Sequence, residues 1–149
     1  MPRTVQWYVR TALACLVLSM FIGVLRQYDL WRGGIGFGPY VRVVHIHLAL
    51  MGGVVQMIMG VAMWMFPQDR EPSQRLPFRE GPAWTAYALF NGGLFGRFAA
   101  EYLHRGGAGD VFGGLAVLTG LMQIAAVGIV VVSLWRLRAH RREKPPQTP

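Results

Sequence analysis

The stretch VRVVHIHLALMGGVVQMIMGVAMWMFP, residues 41–67, decides how this chain is built. Beyond Arg42 it holds no Asp, Glu, Lys or Arg, and its only titratable groups are His45 and His47. It is long enough to cross a bilayer, because a helical span needs roughly 20 apolar residues. A histidine inside such a span is costly and is by default a candidate functional group. Three more long apolar runs accompany it. The pattern predicts an all-α membrane protein: one four-helix transmembrane domain over residues 1–144, with helices at about 7–25, 40–66, 83–104 and 111–135. The runs lack the two-residue alternation of barrel strands, so helices are the expected spanning form.

Composition agrees. The chain has 149 residues, of which 53% are hydrophobic and 15% charged, whereas a soluble domain carries about 25% charged residues. The lone Cys15 allows no disulfide within one chain and no paired-cysteine site for zinc, an iron–sulfur cluster or covalent haem. The formal charge of +8 invites a nucleic-acid reading. The positions of the basic residues exclude it, because they flank the apolar runs rather than forming a soluble basic face.

Glycines and prolines punctuate the runs. Gly33, Gly34, Gly36, Gly38 and Pro39 mark a loop after the first span, taken to cover residues 26–39. Pro67 stops the second span, and a polar loop over residues 68–82 follows. Residues 105–109 form a glycine turn, and Asp110 is placed to cap the fourth helix. The tail over residues 145–149 is expected to be disordered. Ten basic residues lie on the side of the termini and the middle loop, and four on the other. Both termini are therefore expected in the cytoplasm.

With that topology, polar residues gather near the outer face. His45 and His47 lie roughly 8–10 Å below the start of the second span, at about 1.5 Å rise per residue. Arg97, Glu101 and His104 share one face of the third helix, at i, i+4 and i+7. Two residues apart on a helix means about 200° of rotation, so His45 and His47 point to opposite sides and cannot grip one metal together. Either imidazole is suited to ligate haem iron axially. His104 is a further candidate, Arg97 is suited to a haem propionate, and Gly52, with Gly53 and Gly60, leaves room for a flat macrocycle or a close helix neighbour.

Plainer roles stand beside these. His104 suits an interfacial hydrogen bond, and Arg97 with Glu101 can simply neutralise each other. His140 lies in the basic tail and should be solvated. The methionines of the second span read as packing, although thioethers also suit copper. The helix-three and helix-four glycines read as close helix contacts. Gln56 and Gln123 suit interhelical hydrogen bonds, with a quinone contact as an alternative.

The run from Arg42 through His45 to Leu48, followed by Gly60, Trp64 and Pro67, resembles the second helix of the catalytic subunit of haem–copper oxidases and nitric oxide reductases. There an Arg-x-x-His-x-x-Leu run opens the helix and its histidine is an axial ligand of the low-spin haem. His45 is the matching position. The His-x-His spacing is also similar to a later helix of that family, where two histidines serve two haems from opposite faces. The whole chain resembles a small four-helix relative of that subunit, of the cbb3-type oxidase subunit I-like kind. The resemblance implies haem b, held first by His45, with His47 and His104 as further ligand candidates. It also implies redox work with a quinol or respiratory partner in a bacterial or archaeal inner membrane. A full catalytic subunit has many more helices and a copper site built from several histidines. This chain has four histidines in total, so it is not a complete terminal oxidase, and a homodimer is the expected completion. The competing expectations are a copper- or zinc-binding assembly protein, gripping metal through His45, His47 and His104 across subunits, and a cofactor-free accessory subunit.

Overall fold

The computed structural model describes residues 2–34, 39–65 and 80–142, the side chains of residue 39 and of residues 138–142 excepted. The stop at Pro67, the polar middle loop before residue 80, Gly36 and Gly38, the His140 side chain and the tail over 145–149 lie outside the described residues. Within them the chain is all helix, in four rods. The first is α1 (Arg3–Trp31). The second is continuous but changes winding: α2 (Pro39–His47), a π-helical stretch (Leu48–Val55) and α3 (Gln56–Met65). The third is α4 (Glu80–Arg105) and the fourth α5 (Asp110–Arg142).

Three rods are long and apolar enough to cross a membrane: Arg3–Trp31, Tyr40–Met65 and Asp110–Leu137, with 29, 26 and 28 residues. The 26-residue α4 matches them in length. It is less apolar, because Glu80, Asn91, Arg97, Glu101 and Arg105 lie along it.

The ends follow local chemistry. Pro39 opens α2, where a missing N–H costs nothing and φ is already helical. The first helix does not stop near residue 25 but runs on to Trp31. Arg26 and Gln27 are good helix formers, so the segment taken as loop from residue 26 is helical as far as Trp31. The true stop is a Schellman turn. Gly34 N donates to Asp29 O (2.8 Å) and Gly33 N to Leu30 O (3.2 Å), with Gly33 at φ 109°. The same motif ends α4: Ala108 N donates to Leu103 O and Gly107 N to His104 O, with Gly107 at φ 83°. Asp110 is the first residue of α5 rather than the residue before it, so it favours the positive end of the helix dipole from within the first turn.

The rods pack as two hairpins. α1 lies along the whole second rod, and α4 lies along α5. The hairpins meet over a core of Tyr8, Met59, Met63, Ala86, Phe90, Ala126 and Val130. A second cluster, Cys15, Leu48 and Leu94, continues the contact towards the other end. Tyr8 OH donates to Ala83 O (3.2 Å), and the Thr11 and Tyr87 hydroxyls meet at 2.6 Å. Tyr40 OH donates to Phe98 O near the opposite end.

The π stretch was not foreseen. It centres on Gly52 and Gly53, both buried. A Cβ on Gly52 would meet Cys15 and Leu94 side-chain atoms at 2.9 Å, and one on Gly53 would meet Leu16 at 2.4 Å. The two glycines let α1 and α4 press directly on the wound backbone. Single-turn π insertions are the common form and often mark functional sites. Here eight residues carry the wider winding, and His47 stands immediately before them.

Candidate functional site: a groove lined by His47 and Arg97

The two histidines part company as the 200° rotation requires. His45 turns to α1. Its Nδ1 donates to Ser19 O (2.8 Å), and Ser19 Oγ donates back to His45 O (3.0 Å). Its ring rests on Gly23, where an added Cβ would stand 2.9 Å from Cε1. His45 is thus seated in a notch of the first helix.

His47 turns the other way. It lines a groove of about 670 Å³ with Met51 from the π stretch, Arg97 from α4, and Gly120, Leu121 and Gln123 from α5. The groove exists because α5 meets the second rod chiefly along α3, so the two diverge towards the α2 end. Its volume lies in the ~300–1,000 Å³ range of ligand and cofactor pockets. Val117, Leu121 and Ile124 on its rim are exposed on the outside of the bundle. A ligand dissolved in lipid therefore has a lateral way in.

His47 Nδ1 lies 3.0 Å from Val43 O one turn back. A carbonyl only accepts, so Nδ1 carries a hydrogen, as the His45 Nδ1 does towards Ser19 O. Iron- and zinc-binding histidines are held in this way. Arg97 is fixed by Glu101, Nε to Oε1 at 2.9 Å, with side chains 31% and 15% exposed. The charges cancel along one helix face, and the guanidinium still borders the groove, with Nη1 3.8 Å from where a Cβ on Gly120 would stand.

The other candidates fall elsewhere. His104 is exposed at the end of α4, with Nδ1 3.3 Å from Gly109 O and its ring against Gly113. Gly52 faces Cys15 and Leu94 rather than the groove, so of its two readings the close helix neighbour is the one observed. Among the described residues, no group of three or more His, Cys, Asp or Glu side chains converges as a metal cage. A haem needs no such cage, since one axial histidine can hold it.

The walls of the groove are mostly apolar and carry one imidazole, one guanidinium and one amide, those of His47, Arg97 and Gln123. The sequence singled out His47 and Arg97 separately. Their shared groove with Gly120 and Gln123 depends on how α5 splays, which the pattern of one helix does not carry.

Comparison with protein-family models, with curated proteins and with solved structures finds no match to this chain.

Proposed function

We propose that this chain is a haem b-binding integral membrane protein that handles electrons, held in the inner membrane of a bacterium or archaeon. The observation that carries the reading is the meeting of His47 and Arg97 in one apolar, laterally open groove. In this reading α4 crosses the bilayer with the other three rods, its Arg97–Glu101 charges neutralised in place, and both termini face the cytoplasm. Haem would supply a one-electron iron couple. The chain would supply the rest: His47 Nε2 would hold the iron, Val43 O would steady the ring, and Arg97 would pair with a propionate. The apolar wall of Val117, Leu121 and Ile124 keeps water from the macrocycle. A quinol in the bilayer is the expected electron donor. With one imidazole in the groove, a second copy of the chain could supply another, so we extend the proposal to a homodimer.

The reading moves the first ligand from His45, which the family resemblance favours, to His47. Paired variants decide it. His47→Ala should lose the Soret band of the purified, hemin-supplied protein, with affinity down at least tenfold, or about 1.4 kcal/mol. His45→Ala should keep the band. If instead His45→Ala bleaches the protein and His47→Ala does not, the ligand lies on the α1 side and the groove is not the haem site.

A further inference from the structure

The middle of the bundle holds two buried amides, and a partly buried third whose oxygen is enclosed, that the groove's own chemistry does not use. Gln56 is 0% exposed, and neither its Oε1 nor its Nε2 has a hydrogen-bond partner. Gln123 is 4% exposed, and its Nε2 is unmet. Asn91 donates through Nδ2 to Tyr87 O (2.9 Å), and its Oδ1 is unmet. They come from three elements, α3, α4 and α5.

They also share a level. Gln123 packs where Gly93 lacks a side chain, two residues along from Asn91. A Cβ on Gly52, one turn before Gln56, would stand 2.9 Å from the Leu94 side chain, and Leu94 lies just under one turn beyond Asn91. The three amides therefore lie within about one helical turn, or roughly 5 Å, in depth.

The unmet atoms specify what suits them. Two are donors, Nε2 of Gln56 and of Gln123, and two are acceptors, Oε1 of Gln56 and Oδ1 of Asn91. A cation would face amide hydrogens, and an anion would face carbonyl oxygens. An apolar group would leave all four atoms unmet, which is costly away from bulk water. A small neutral molecule that both donates and accepts satisfies the set, and water is small enough for a close-packed interior.

We propose that Gln56, Asn91 and Gln123 bind ordered water as a polar layer across the bundle. Because Gln123 also borders the groove, the layer joins it and forms a hydrated branch from the groove to the centre of the protein. Through this branch protons pass from the groove to the buried amides. The proposal does not depend on what fills the groove.

Thiol exchange in D2O tests it on the full chain in lipid bilayers. In a Cys15→Ala background, Gln56→Cys, Gln123→Cys and Met63→Cys each place one thiol. Met63 is 1% exposed within the apolar core cluster and similar in size to glutamine, so it controls for the void that any such change creates. The infrared S–H band should convert to S–D at least tenfold faster at positions 56 and 123 than at 63. Equal rates at all three positions, fast or slow, would overturn the proposal. Adding Gln123→Leu to Gln56→Cys should slow exchange at 56 at least tenfold. An unchanged rate would show that the layer does not communicate with the groove.

Discussion

Gly93→Val should separate α4 from α5 and lower the stability of the folded bundle by about 3 kcal/mol, the upper part of the range for overpacked interiors. The reason is backbone, not side chain. A Cβ at position 93 would stand 2.7 Å from Thr119 O and 2.8 Å from Gln123 Cγ. The carbonyl belongs to the helix itself and cannot rotate away. Replacing a helical glycine normally gains up to about 1 kcal/mol of propensity, so strain must exceed that gain for the sign to hold. Gly128→Ala is the matched contrast. Nothing lies within 4 Å of its would-be Cβ, so it should stabilise. Denaturant unfolding of both variants in detergent micelles checks the pair. A neutral Gly93→Val would mean that the hairpin interface is looser than described.

Gly120→Leu should abolish ligand uptake by the groove while leaving the fold in place. Position 120 borders the groove opposite Arg97, and its would-be Cβ meets only the Arg97 Nη1, at an ordinary 3.8 Å. The helix therefore accepts the residue, and the leucine side chain fills the space over the guanidinium. Hemin affinity should fall at least tenfold, with circular dichroism unchanged. Gly114→Leu, on the same helix with nothing near its would-be Cβ, should bind as the wild type does. If Gly120→Leu binds hemin normally, haem sits elsewhere.

Much of the architecture was legible because lipid imposes a simple code. Long apolar runs ended by Pro39, Gly33, Gly34 and Gly107 had to be helices, since a backbone in hydrocarbon must satisfy itself. The extra turns of α1 were missed because Arg26, Gln27 and Asp29 look like loop, although the Gly33–Gly34 pair already marked the stop. The π stretch was not legible, since its wider winding depends on α1 and α4 pressing on Gly52 and Gly53. The adjacent glycines were the one available signal. The opposite facing of His45 and His47 followed from helical rotation alone. Which of them meets the groove did not, because that depends on the neighbour each side acquires: Ser19 and Gly23 for one, Arg97 and α5 for the other. Gln56 and Gln123 were recognisable as membrane-depth amides. That their polar atoms would go unpaired is a property of the packed bundle.

If an imidazole in the membrane domain holds iron in a porphyrin, the purified wild-type chain titrated with hemin in detergent should take it up saturably. Visible spectra should show a Soret band, with sharp α and β bands after dithionite. A protein that stays colourless, or takes up hemin without saturation and without reduced α and β bands, does not hold haem through its histidines.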